Sequence, residues 1–291
     1  MNRLVDIEEA AALLSSGHLV AIPTETVYGL AARADDEAAL RSVFEAKGRP
    51  TTHPLIVHLA SAADLDAWAA EVPPSARRLA DVLWPGPLTL VVKRSARVLD
   101  AVTGGRETVA VRVPRHPLAL ELIRRVGPLA APSANVFGRV SPTTAAHVLS
   151  EPFARDVAVL DGGACEVGLE STIVDVTSTI PTLLRPGGVS VETIEDVLGA
   201  PIADGRDGES RAPGMMASHY APRARVIALR EGEGEGELVG RVARLVPRAE
   251  TLYAELRRLD AEGVDVIVIE LPSEEGLGLA IADRIRRAAG P

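Results

Sequence analysis

Through the first 200 residues, short runs rich in Val, Ile and Leu alternate with segments of helical periodicity. That alternation confines the chain to an α/β architecture, because each strand and helix has an apolar side to bury against the other type. The strand-like runs fall at 19–22, 55–59, 88–93, 108–113, 157–160 and 171–176. Helices are expected from Asp6 to near Gly17, where Asp6 and Glu9 form a capping-box pattern, and from about Asp36 to Ala46. In the latter, Ala39, Leu40, Val43 and Phe44 recur at helical spacing. Further helices are expected over 64–70, 75–83, 117–126, 143–149 and 191–198. Residues 1–200 therefore read as one catalytic-sized α/β domain with a twisted, mixed sheet. Residues 201–224 carry Gly, Pro, Asp and Arg without sustained periodicity and read as a linker. Residues 225–291 read as a small α/β C-terminal domain: strand 225–229, an acidic Gly-Glu loop at 231–237, helix 248–261, strand 264–269 and helix 277–288.

The formal net charge is −9, which argues against broad affinity for nucleic acids or anionic membranes. Only 3% of residues are aromatic, so the core is built from aliphatic side chains and offers few platforms for base stacking. The single cysteine, Cys165, excludes an internal disulfide and a multi-cysteine zinc site and fits a reducing compartment. With Asp6, Glu8 and Glu9 near the start, no signal peptide is expected; with no apolar run of about 18 residues, no membrane span is expected either. A cytoplasmic location is the resulting expectation.

The most unusual local pattern is Pro23-Thr24-Glu25-Thr26-Val27-Tyr28-Gly29-Leu30, which follows the apolar run Leu19 to Ile22. Two hydroxyls, a carboxylate and a phenol at the end of a buried strand stand where α/β sheets place their ligand crevices. Lys47-Gly48-Arg49-Pro50 is a cationic turn that suits a phosphate; it equally suits a helix C-terminus capped by Gly48. His58, among Leu55, Ile56, Val57 and Leu59, reads either as a core histidine or as a site residue. His53, before Pro54, reads as a loop residue. Alternation along 108–113 puts Thr108, Ala110 and Arg112 on one face, and a charge there needs a partner or a ligand. Ser133 and Asn135 follow another apolar run and either cap a turn or face a ligand. Ser141-Pro142-Thr143-Thr144 reads as a helix N-cap with proline at the first position. The chain has no Gly-Lys-Ser/Thr phosphate loop, no His-Glu-x-x-His, no Gly-x-Ser-x-Gly and no Gly-x-Gly-x-x-Gly after its first strand. Several common nucleotide and hydrolase sites are thereby struck out.

Taken together, these segments resemble the YrdC-type threonylcarbamoyl-AMP synthases, in the long form with a linker and a C-terminal domain. The resemblance rests on ten segments in the family's order. They are Pro23 to Leu30, Lys47 to Pro50, Pro54 to His58, Trp84 to Thr89, Val111 to Pro114, Pro132 to Asn135, Ser141 to Thr143, Leu169 to Thr172, Leu184 to Gly187, and His219 to Pro222. It implies a YrdC-like domain that condenses L-threonine, bicarbonate or CO2, and ATP into threonylcarbamoyl-adenylate with loss of pyrophosphate. That product would be used by partner proteins that transfer the threonylcarbamoyl group to adenosine in tRNA. Position by position, the resemblance implies threonine binding by Thr26, His58, Arg112, Ser133 and Ser171. It implies ATP binding by Lys47, Arg49, His53, Thr108, Asn135, Ser141, Arg185 and Tyr220, with Mg2+ accompanying the nucleotide. No protein metal site and no catalytic base are assigned. His53 departs from the family, which often carries Asn there. The segment after residue 225 is shorter than the family's usual ending. A carbamoyl-adenylate chemistry of hydrogenase-maturation type is disfavoured by the lone cysteine, and an RNA-binding module by the net charge. Direct tRNA binding is not expected on the same ground.

Overall fold

The computed structural model describes residues 3–206, 219–230, 232–236 and 238–290. The Pro213–Ser218 part of the linker motif lies outside the described residues. Strands β1 (Arg3–Val5), β2 (Val20–Ile22), β3 (Gly29–Arg33), β4 (Ile56–His58), β5 (Leu88–Lys93) and β6 (Thr108–Arg112) come first. They are followed by β7 (Leu129–Ala130), β8 (Ala158–Leu160), β9 (Thr172–Asp175), β10 (Thr182–Arg185) and β11 (Ala203–Asp204). Together they form an eleven-stranded sheet in the order β1-β8-β2-β3-β7-β4-β6-β5-β9-β10-β11. Its pairings are mixed: β4 and β6 run parallel, whereas β2 and β3, and β5 and β6, are antiparallel. The mixed sheet read from the sequence is what forms.

Helices α1 (Ile7–Ser15), α2 (Glu37–Lys47), α3 (Leu65–Trp68), α4 (Pro74–Leu83) and α5 (Asp100–Thr103) belong to the first half of the chain. They are followed by α6 (Pro117–Val126), α7 (Ala145–Leu149) and α8 (Val191–Leu198). The Asp6 carboxylate accepts the Glu9 amide at 2.9 Å and starts α1 as the sequence pattern requires. Gly48, at φ 60°, ends α2 in the left-handed conformation that glycine adopts without steric cost. One boundary is corrected. Thr144, not Ser141, caps α7, accepting the His147 amide at 3.2 Å, and the Ser141 hydroxyl is drawn instead to Glu170 at 2.7 Å. A long-range partner outbid the local cap.

In the C-terminal part, β12 (Arg225–Leu229), β13 (Val242–Leu245) and β14 (Val266–Glu270) form a separate parallel sheet ordered β12-β14-β13. Helices α9 (Leu252–Ala261) and α10 (Gly278–Ala289) pack with it around Val226, Leu256, Ile267, Ile269 and Ile285. The same cluster takes in Val27, Leu169 and Tyr220, so the small sheet and its helices are packed against the strand ends of the large one. Where it is described, the Gly-Glu run is mostly exposed, with Glu235 held by Arg244 of β13.

Candidate active site

The Pro23–Tyr28 segment is the connection between antiparallel β2 and β3, whose ends pair Ile22 with Gly29. Thr24 staples it. Its hydroxyl lies 2.6 Å from the Val27 carbonyl and 2.8 Å from Thr26 Oγ1, and it accepts the Thr26 and Val27 amides at 3.2 Å each. The fold of this loop thereby turns Thr26 and Glu25 inward. Arg112 ends β6 beside His58 on β4, the two being register partners. Its Nη1 donates to Thr26 Oγ1 at 3.0 Å, Nε donates to the Gly86 carbonyl at 3.2 Å, and Nη2 lies 2.8 Å from Glu25 Oε1. The Arg112–Glu25 contact is an ion pair without hydrogen-bond alignment. Burial is the largest influence and by itself would raise the Glu25 carboxyl, but the Arg112 guanidinium and nearby backbone amides together hold Glu25 below the usual carboxylate range. His58 is fully covered, and burial together with the Arg112 charge pushes it down to about 3, so its imidazole is neutral.

From the other side, Arg185 at the end of β10 donates through Nε and Nη2 to the Ser171 carbonyl, at 3.2 and 2.9 Å, and through Nη2 to Ser171 Oγ at 3.2 Å. The turn after it must pass close to this strand. A side chain at Gly187 would meet the Glu170 carbonyl at 2.3 Å, so only glycine fits between Pro186 and the 170–172 backbone. Arg49, just past α2, donates to the Pro54 carbonyl at 2.9 Å, and its guanidinium lies 5.5 Å from the centre of the Phe137 ring. Burial lowers it to about 10, which leaves it charged at neutral pH.

These groups surround one cavity of about 50 Å3, lined among others by Thr26, Arg49, His58, Arg112, Ser133, Ser171, Arg185, His219 and Tyr220. All five threonine-side residues read from the sequence are in its wall, with three of the eight nucleotide-side residues: Arg49, Arg185 and Tyr220. The other five are elsewhere. Lys47 is buried and spends its ammonium on the Ser133 and Asn135 carbonyls, pinning that loop rather than facing the cavity. Burial and the neighbouring Arg49 charge push its pKa well below the ordinary lysine value. Asn135 turns its amide onto the Val136 and Arg139 carbonyls at 2.8 and 3.0 Å. Ser141 is bound to Glu170. His53 stands edge-on to Phe137, with ring centres 5.3 Å apart, and burial, Arg49 and Arg106 lower its pKa. Thr108 shares the strand face of Arg112 but lies four residues back, roughly 13 Å along β6. Buried Arg49 Nε, His58 Nδ1 and His219 Nδ1, all of cavity-lining residues, have no hydrogen-bond partner among the described residues, as expected of a site shaped for a polar ligand.

Three participants were not picked out from the sequence as site residues. Glu25, quoted only as part of its motif, is the partner of Arg112; a carboxylate in a buried strand-end motif was the available signal. Glu170 lines the cavity and accepts from Ser141, from Tyr253 at 2.8 Å and from Arg284 at 2.8 Å. Arg284 is one of several arginines on α10, and nothing local distinguishes it.

A family model described as telomere recombination, covering the Sua5, YciO and YrdC proteins, matches residues 12–187. A second, described as the threonylcarbamoyl-AMP synthase C-terminal domain, matches 189–290. This chain belongs to the threonylcarbamoyl-AMP synthase family. The synthase of Pyrococcus abyssi is 43% identical, over 98% of this chain and 94% of that protein, and that of Bacillus subtilis is 41% identical over 98% and 93%. A putative synthase from Mycobacterium tuberculosis is 39% identical over 68% of this chain and 91% of its own length. The crystal structure of P. abyssi Sua5 complexed with L-threonine superposes with a TM-score of 0.90 at 42% identity, covering 97% of this chain and 94% of that one. The long synthase form, with a YrdC-type domain followed by the C-terminal domain, is thus the architecture of this chain. Among the described residues no helix is long and apolar enough to cross a membrane.

Proposed function

We propose that this chain condenses L-threonine, bicarbonate or CO2, and ATP into L-threonylcarbamoyladenylate, releasing pyrophosphate as a nucleotidyltransferase. The observation that carries the reading is the convergence of Thr26, His58, Arg112, Ser133 and Ser171 with Arg49 and Arg185 on one cavity. The threonine amine takes up CO2 to give a carbamate, releasing a proton to solvent. A carbamate oxygen then bonds to the α-phosphorus, and the bond from that phosphorus to the bridging oxygen breaks as pyrophosphate leaves. Arg112 would receive the threonine carboxylate, with Thr26 and neutral His58 beside it. Arg49 and Arg185 would face the phosphates, where fixed cations offset the charge of the departing group. Burial of the site would protect the carbamate from water. No side chain is assigned as a base.

Mg2+ would arrive on the nucleotide and offset phosphate charge. No group of three His, Cys, Asp or Glu among the described residues is placed to hold a metal ion, and Glu25 and Glu170 are already paired with arginines. That donor set fits a cation carried by phosphate oxygens and water rather than by a protein cage. A cavity of about 50 Å3 is far below the roughly 300 Å3 at which small-molecule sites begin, so part of the wall must move to admit substrates. Tyr220 and its linker are the part we assign to that lid, and deleting 211–222 should abolish turnover. His53 would contribute little charge to phosphate binding, because its lowered pKa keeps it neutral. The product would pass to proteins that transfer the threonylcarbamoyl group to adenosine in tRNA in the cytoplasm, without direct tRNA binding by this chain. The chain would be organised as a catalytic domain (1–200), a linker and lid (201–224) and a C-terminal domain (225–291). The test is purified protein with ATP, Mg2+, labelled bicarbonate and L-threonine, scored for threonine-dependent pyrophosphate and labelled adenylate. Pyrophosphate release that ignores threonine would sink the reading.

A further inference from the structure

The last helix delivers a charge to the back of the cavity wall. Arg284 on α10 has a fully covered side chain. Its Nε donates to Glu170 Oε2 at 2.8 Å, its Nη2 donates to the Pro186 carbonyl at 2.9 Å, and its Nη1 is bound to Asp283. Its guanidinium carbon lies 5.0 Å from the centre of the Tyr220 ring, which also stacks on Tyr253 at 5.7 Å and 26°. Tyr220 has φ 62°, a left-handed conformation that a residue with a side chain keeps only where its surroundings impose it. The same helix anchors the preceding residue, since the His219 amide donates to the Arg287 carbonyl at 3.1 Å. Cavity-lining Glu170 and Tyr220 therefore share one cation, supplied from beyond residue 225.

We propose that Arg284 is a positioning residue for the nucleotide end of the site, holding the Glu170 carboxylate and the Tyr220 ring in place from the C-terminal domain. The inference rests on the functional reading above. Glu170 is an anion in the wall of a cavity that must accept a triphosphate, and Arg284 cancels its charge there. Tyr220 closes the wall near Arg49 and Arg185 and takes its seat from Arg284 and Tyr253. At the threonine end, Arg112 is instead bonded to Thr26 and Gly86 and paired with Glu25, and only Val27 of the β2–β3 loop joins the apolar cluster that includes α10. The polar contacts of Arg284 with the cavity wall thus go to Glu170 and Tyr220, on the side assigned to ATP.

The test compares wild type with Arg284→Lys, Arg284→Met and the double variant Glu170→Gln/Arg284→Met. It measures KM for each substrate by pyrophosphate release, and binding of a non-hydrolysable ATP analogue by calorimetry. Arg284→Met should raise KM for ATP by about tenfold or more while KM for threonine stays within about twofold, and Arg284→Lys should recover part of the loss. The double variant removes both charges of the Glu170–Arg284 pair and leaves Asp283 with Arg287, and so keeps its fold if the single one does not. It should still bind the analogue about tenfold more weakly, because Tyr220 has lost its cation. A double variant with wild-type analogue affinity, or an Arg284→Met protein that loses both substrates equally, overturns the proposal. A wild-type protein that binds the analogue yet releases no threonine-dependent pyrophosphate would fail the functional reading instead, and the analogue titrations would still decide the role of Arg284.

Discussion

Arg112 and Arg284 are both buried beside a glutamate, yet the two pairs are finished differently. Arg112 meets Glu25 off-line, donates to one hydroxyl and one carbonyl, and faces the cavity. Arg284 is covered, and its partner Glu170 is also bonded by Ser141 and Tyr253. Burying a charge is costly unless it is paired and hydrogen-bonded, so a saturated pair favours rigidity. An under-bonded one in a cavity wall keeps capacity for a ligand. The contrast separates a pair that waits for substrate from a pair that holds two domains together.

The sharpest way to break the comparison is at Arg112. Arg112→Ala strands Glu25 without its counter-charge and should cost about 3–5 kcal/mol of stability in denaturant titration. Arg112→Lys, which keeps the charge and loses the fork, should raise KM for threonine about tenfold or more, far beyond any change for ATP. Parallel rises in both would contradict its assignment to the threonine end.

On the opposite side, Glu170→Gln removes one of the two carboxylates paired with Arg284, leaving Asp283, and should destabilise the protein by about 3 kcal/mol. A loss under about 1 kcal/mol would mean that this pair is no more committed than the first.

Acid distinguishes the regions in another way. His58 at the threonine end and His219 beside Tyr220 are both held neutral by burial, with folded values of about 3 against an unfolded value of about 6.5. Below that unfolded value the unfolded chain takes up protons that the folded chain refuses. Each group then removes up to about 1.4 kcal/mol of stability per pH unit down to its folded value. At Glu170, burial alone would raise the carboxyl, but Arg284 and Arg185 bring it to about 2. Its contribution is complete above roughly pH 4.3 and fades only as pH falls toward 2. Urea titrations should therefore show a decline beginning near pH 6.5 and a further loss beginning near pH 4.3. Equal stability at pH 7 and pH 5 would refute the neutral histidines.

The smallest effect is expected from Tyr253→Phe, which removes one of three donors to Glu170 and should cost about 1 kcal/mol in thermal unfolding. A much larger cost would make Tyr253, rather than Arg284, the principal anchor.

Much of the fold was legible because its signals are local. Asp6 caps α1, the apolar run at 88–93 is β5, and Gly48 ends α2. The misses have equally physical causes. β3 begins inside the motif, where Gly29 and two alanines carry little β-propensity. β7 is two residues long, and β13 is partly exposed. Ser141 looked like a cap and became a partner of Glu170, because Thr144 caps α7 and the buried Glu170 carboxylate needs donors. Lys47 read locally as either a phosphate ligand or a helix-end cation, and the structure adds that its ammonium is bonded to two carbonyls of the 133–135 loop.

The amino-acid sequence by itself determined the α/β alternation and the family. Those properties depend on composition and short-range pattern. The tertiary structure alone decided that Arg112 shares its charge with Glu25, that Lys47 supports the site from behind, and that Arg284 reaches it from the last helix. The physical reason is distance along the chain. The Arg284–Glu170 contact spans 114 residues and the Arg112–Thr26 contact 86, so each partner is chosen by sheet order and packing, which no local window of sequence contains.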